Sequence, residues 1–212
     1  MAPDERRAAI LDAAAPLLRE RGANVSTREL AEAAGVAEGT LFRVFPDKRS
    51  LLRAAVAQAM DPAPLLADLA RIDLAWPVGR RLARVVDLVS ARMDGVLPLV
   101  IALHDIAREG GEDPRADVDP AEKRSRDALL LGAVADVLAP DADRLRVSPL
   151  QAAGLIRGVI LAQRLPGVPD GAAVAPADLS RCLVHGLVAA PTPADVDPDP
   201  ATTEREPACS SV

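Results

Sequence analysis

Apolar residues recur every three or four positions over most of the chain, the period of helices that bury one face. Over residues 4–21, Ile10, Leu11, Ala14, Leu17 and Leu18 share a stripe, and Asp4 and Glu5 stand near the positive end of the helix dipole. Gly22 closes that rhythm and Val25 turns inward. Ser26 or Thr27 caps the next helix, with Glu29 three residues after Ser26 in capping-box spacing. Leu30 and Ala34 then lie on one face of a short helix. Gly35 follows, a residue that takes positive φ without steric cost, and Val36, Leu41, Val44 and Phe45 resume the pattern. Two short helices crossing over a tight turn account for this spacing. Leu30, Val36, Leu41 and Val44 are expected to fill the wedge between them, which leaves Arg28, Ala37, Glu38, Thr40 and Arg43 outward. Helices of about two turns are marginal in water, so the stripe over 4–21 is expected to back them.

Beyond Pro46-Asp47 a helix is expected to about Met60, with Leu51, Leu52, Val56 and Met60 inward, and Asp61-Pro62-Ala63-Pro64 breaks it. Short helix 64–72 follows. Residues 77–94 read as an amphipathic helix with Leu82, Val85, Val86, Val89 and Met93 inward and Arg80, Arg81, Arg84 and Asp87 outward. Leu97 to Arg108 is more uniformly apolar and is expected to be buried on most sides. Gly110-Gly111 ends it, Glu112 to Asp119 reads as a loop, and 120–138 as a helix between Pro120 and Pro140. Ser148-Pro149 opens a helix through Leu165 with Gly154 and Gly158 on a face that allows close approach; a partner helix runs from Pro176 to Ala189. Nothing alternates like a strand. From Pro191 onward the chain is rich in proline and acid, and too poor in apolar residues to offset the cost of ordering, so disorder is expected over 191–212.

The runs ILDAAAPLLRERG and STRELAEAAGVAEGTLFRVFPDKRSLL resemble the DNA-binding domain of the TetR family of bacterial transcriptional regulators, over residues 8–56, about a quarter of the chain. The resemblance implies an all-α protein: a three-helix DNA-binding head over 1–46, a connecting helix over 47–60, and a helical effector-binding and dimerisation domain over 61–190. It further implies that Thr27, Thr40, Phe42 and Lys48 match phosphate-contacting positions, and that Arg28, Ala37, Glu38, Gly39 and Arg43 match base-facing ones. Three positions depart from the family's common pattern: Phe42 replaces Tyr and so lacks a hydroxyl, Glu38 replaces Lys, and Val44 replaces His. The function implied is a homodimeric, ligand-responsive regulator, most often a repressor, that binds a palindromic site in double-stranded DNA and is released by a small molecule. Periodicity leaves open whether the helices of 148–165 and 176–189 form an intrachain core or a dimer interface; the resemblance favours the interface.

Composition refines this picture. Half of the 212 residues are hydrophobic but only three are aromatic, so aliphatic side chains must build the core. The net charge of −6 is unevenly spread: residues 1–60 carry +1, 61–190 carry −3 and 191–212 carry −4. The acidity therefore lies mainly outside the expected DNA-binding head. Cys182, in an apolar helical stretch, and Cys209, in the polar tail, do not suggest a disulfide, and a cytoplasmic protein without membrane spans is expected. Trp76, Met93 and His104 are the candidate effector contacts, as polar-tipped or adaptable side chains among aliphatics. Cys182 and His185 stand three apart but make no complete zinc site, and no metal or cofactor is expected. A helical enzyme or ligand carrier with a purely structural helix-turn-helix is the alternative, but no nucleophile motif or phosphate-cradling loop supports it. An activator of the same fold differs only in outcome.

Overall fold

The computed structural model describes residues 3–111, 119–165 and 173–196. The helices are α1 (Pro3–Arg21), α2 (Thr27–Ala33), α3 (Glu38–Val44), α4 (Lys48–Ala59), α5 (Ala63–Ala70), α6 (Val78–Glu109), α7 (Pro120–Leu138), α8 (Pro149–Ala162), α9 (Pro176–Leu187) and α10 (Pro193–Val196). Among the described residues there is no strand, only one antiparallel bridge between Leu145 and Val188. No described helix is long and apolar enough to cross a membrane. Residues 112–118 of the expected loop over 112–119, and 197–212 of the expected disordered tail over 191–212, fall outside the described residues.

Two compact units divide the described residues: one joins the chain up to Asp61 with Arg92–Arg124, the other joins Pro62–Ala91 with the chain from Ser125 onward. In the first unit, Ile10, Leu11, Ala14 and Leu18 of α1 meet Leu30 and Ala31 of α2, Leu41 of α3, Phe45, and Leu51, Leu52 and Ala55 of α4. Leu99, Ala102 and Leu103 of α6 complete this cluster. Each buried leucine contributes about 1.5–3 kcal/mol relative to exposure, which is why helices too short to persist alone hold here. Arg92 of α6 ties in further, its guanidinium donating to the carbonyls of Met60 and Asp61, each at 2.8 Å.

Helix α6 corrects the reading of 77–94 and 97–108 as separate segments. It runs unbroken for 32 residues with Pro98 inside it. Proline removes one backbone donor but does not end a helix whose flanking turns are anchored; Val96 and Leu99 on either side of it are buried. Burial in that stretch is one-sided, since His104 and Asp105 are exposed.

In the second unit Val78, Leu82, Val85, Val86 and Val89 of α6 are buried, as are Val134, Val137 and Leu138 of α7, Ile156 and Ile160 of α8, and Leu179, Val184 and Leu187 of α9. Arg81 was expected outward and is instead only 2% exposed. Its guanidinium donates to the carbonyls of Trp76 and Val137 and pairs with Asp141, so the charge and its donors are met inside. Asp141 also accepts from Arg144, at 2.9 Å, and Arg144 reaches on to Asp195 at 2.6 Å.

That last contact corrects the start of the expected tail. Residues 191–196 are ordered: Asp195 is 2% exposed and accepts from the Thr192 amide at 2.8 Å and the Thr192 hydroxyl at 2.7 Å. The Asp195 backbone passes so near Gly79 that a Cβ on Gly79 would stand 1.4 Å from the Asp195 carbonyl oxygen. A composition-based reading misses this because a single well-placed carboxylate, not apolar bulk, secures the segment.

Candidate nucleic-acid interface

Helix α2 begins at a complete capping box. The Ser26 hydroxyl accepts from the Glu29 amide at 3.2 Å, and the Glu29 carboxylate accepts from the Ser26 amide at 2.8 Å. The Ser26 hydroxyl also donates to that carboxylate, and Arg21 pairs with it at 2.6 Å. The Ser26 amide and hydroxyl, with Arg21, hold the Glu29 carboxyl down to about 2.

The helix ends in a Schellman arrangement. The Gly35 amide donates to the Glu32 carbonyl and the Val36 amide to the Ala31 carbonyl, both at 3.0 Å, with Gly35 at φ +63°. This reversal sends the chain across α2 and into α3. Leu30 and Leu41 meet in the crotch at 0% and 2% exposure, with Val36 and Val44 half-buried beside them. Arg7 reaches from α1 to the Val44 carbonyl at 3.4 Å and lies 4.5 Å from the Phe45 ring centroid, covering the carboxyl end of α3. Nothing in local spacing announces Arg7, because its contacts lie 37 residues away.

What the core excludes forms the opposite face. Arg28, Ala37, Glu38, Gly39, Phe42 and Arg43 are exposed, and Thr27 and Thr40 are half-buried. Phe42 leaves 43% of its surface open, an apolar ring on an otherwise polar face. Arg28 pairs with Glu32 at 3.0 Å, and its pKa is raised by that hydrogen bond, then by the charges of Glu32 and, more weakly, Glu38. The Thr27 hydroxyl donates to Glu38 Oε1 at 2.6 Å, linking the first residues of α2 and α3.

Lys48 is placed differently from its neighbours. Its ammonium turns inward to the Ala23 carbonyl at 2.5 Å, and burial lowers its pKa against the pull of Glu109 and Glu29. It closes the 3-10 turn Gly22–Asn24 between α1 and α2.

A short helix crossing over a glycine corner, with its outer face polar and open, is the geometry of a helix-turn-helix whose second helix enters a major groove. Residues 10–55 match the family model described as bacterial regulatory proteins, tetR family. A crystal structure of a tetR-family transcriptional regulator from Streptomyces coelicolor aligns with a TM-score of 0.56 at 26% identity, covering 88% of this chain and 80% of that one. Over residues 10–55 the chain is similar to the bacterial regulatory proteins of the tetR family.

Two further solved structures share the fold. AibR, solved with isovaleryl coenzyme A and operator DNA, aligns at 20% identity and TM-score 0.55 over 86% of this chain and 98% of its own. The ketosteroid regulator KstR2 of Mycobacterium tuberculosis aligns at 18% identity and TM-score 0.55 over 86% and 95%. No curated protein matches the chain. Among the described residues the chain is helical, with a tetR-like helix-turn-helix region followed by a larger helical region, the architecture of tetR-family folds.

Of the three residues expected at the effector, Met93 and His104 lie on α6 and Trp76 just before it. Met93 is half-buried and His104 exposed on α6; eleven residues separate them, about 16 Å along a helix axis, too far for one small molecule to sit snugly against both. Trp76 is half-buried beneath the Arg80 guanidinium, 4.0 Å from its ring centroid. The structure adds two features that spacing does not announce. Ser90, on α6, is 4% exposed, and its hydroxyl has no hydrogen-bond partner among the described residues. Beside α7, an open groove of about 680 Å³ lies between Leu66 and the stripe Ala128, Leu129, Gly132 and Ala133. Among the described residues no three His, Cys, Asp or Glu side chains are grouped to hold a metal ion.

Proposed function

We propose that the protein is a homodimeric repressor that binds a palindromic operator through α2 and α3 and is released by a small molecule. The observation that carries the DNA reading is the division of α3: Leu41 is buried while Glu38, Gly39, Phe42 and Arg43 face solvent. Arg43 and Arg28 would supply donors to guanine edges or phosphates, Thr27 and Thr40 hydroxyl donors, and the exposed backbone at Ala37 and Gly39 close approach. Lys48, spent on the Ala23 carbonyl, would contribute chiefly by holding the head together.

The dimer reading rests on α8 and α9. Leu155 and Val159 stand 49% and 38% exposed on α8 beside exposed Gly158, and Gly186 is exposed on α9. Exposed apolar and small residues on these helices suit close packing against a second copy. Two heads held about 34 Å apart would meet successive major grooves on one side of a duplex. An effector acts only as far as it binds one head spacing more tightly than the other. AibR, which shares the fold and was solved with isovaleryl coenzyme A and operator DNA, supports a small-molecule effector of this kind.

Binding to fragments flanking the protein's own gene, measured by mobility shift at several salt concentrations, tests the reading. Salt-sensitive retention of one fragment is expected. No salt-sensitive binding to any fragment there would contradict it.

A further inference from the structure

Glu38 is an unusual residue for a surface that must approach phosphates, and its surroundings give it a specific use. It is exposed, and its Oε1 accepts from the Thr27 hydroxyl at 2.6 Å, which fixes the carboxylate at the mouth between α2 and α3. Arg28, the next residue after Thr27, sits near enough to feel its charge. The carboxylate retains Oε2 and further lone pairs for another donor, and when ionised it only accepts. Base edges in the major groove differ in what they offer it. Guanine presents two acceptors, thymine an acceptor and a methyl, and adenine a donor beside the acceptor N7. Cytosine alone presents its N4 donor without a neighbouring acceptor of its own. The guanine paired with it shows O6 and N7, the edge that an arginine fork satisfies.

We infer that Glu38 and Arg28 together read one cytosine·guanine pair in each operator half-site, Glu38 accepting from cytosine N4 and Arg28 donating to guanine O6 and N7. Arg28 now lies on Glu32 with its side chain 80% exposed. An ion pair so open exchanges at little cost for a bidentate partner. The same carboxylate repels the backbone of every duplex, so Glu38 lowers affinity for non-operator DNA while sharpening the choice of operator.

This inference rests on the DNA-binding reading, and selection from randomised duplexes separates the two. The wild-type full chain is expected to enrich a palindrome with one position per half-site that favours cytosine about tenfold or more over each other base. E38A is expected to weaken the preference at that base pair, which Arg28 alone then holds, and at no other, while binding random DNA more tightly. E38Q is expected to raise the tolerance for adenine at that position, since glutamine matches the donor and acceptor of N6 and N7, against the hold of Arg28 on the paired guanine. R28A should relax the same base pair. Glu38 is exposed, so E38Q is expected to fold and carries the test if E38A does not. A consensus unchanged in E38A and E38Q would overturn the inference and leave DNA binding intact; a wild type that enriches nothing would overturn both.

Discussion

Gly35 sets the angle at which α3 leaves α2, and its substitution isolates a single physical cost. At φ +63° a Cβ meets the backbone's own left-handed penalty, but it would find no other atom within 4 Å. Gly35→Ala therefore changes no packing, and the expected loss is the left-handed conformational cost alone, about 1–2 kcal/mol. For a chain of this size, that lowers Tm by roughly 2–8 °C. Gly35→Asn keeps the larger side chain but tolerates the left-handed region, so it is expected to recover part of the loss. Thermal unfolding followed by circular dichroism at 222 nm reads both variants. Equal destabilisation by Ala and Asn would refute the conformational argument and point to contacts, as would an Ala variant as stable as the wild type.

Further outcomes follow from particular residues. Glu29, held at about 2 in the folded state, contributes stability that is fully present above the ordinary carboxyl range and lost as pH falls toward 2; Glu29→Gln should flatten that part of the acid-unfolding curve. Burial pushes the Asp195 carboxyl up, but the Thr192 hydroxyl and amide and the Arg144 guanidinium outweigh it and hold it below its usual value. Asp195→Ala removes these bonds and leaves Arg144 partly open to water, so a loss of about 1–3 kcal/mol in urea unfolding is expected, and none would show that residues 192–196 do not secure the unit. Leu155→Asp, placed on an exposed α8 position, is expected to leave the monomer folded and shift light-scattering mass from two chains to one; an unchanged mass would remove that face from the dimer. Ser90→Ala deletes a buried hydroxyl without a partner among the described residues, so Tm is expected to hold or rise.

The head was legible because its elements are set by neighbours in sequence. Ser26 and Glu29 close a capping box three residues apart, Gly35 supplies the left-handed corner, and Leu30, Leu41 and Phe45 bury at helical spacing. Short-range rules of this kind need no knowledge of the rest of the molecule. The outward set from Arg28 to Arg43 follows as the complement of that buried face.

Tertiary structure alone decided the rest. Whether 77–94 and 97–108 are two helices or one depends on what anchors the turns around Pro98, and whether Arg81 faces water depends on Asp141, 60 residues away. Lys48 and a solvated lysine look identical in sequence; the Ala23 carbonyl, 25 residues distant, turns it inward. Asp195 belongs by composition to a tail, yet one carboxylate meeting Arg144 and Thr192 orders its segment. Local periodicity fixes which face of a helix is apolar, but a charged group is placed by the partner that meets it, and only the folded chain brings that partner near.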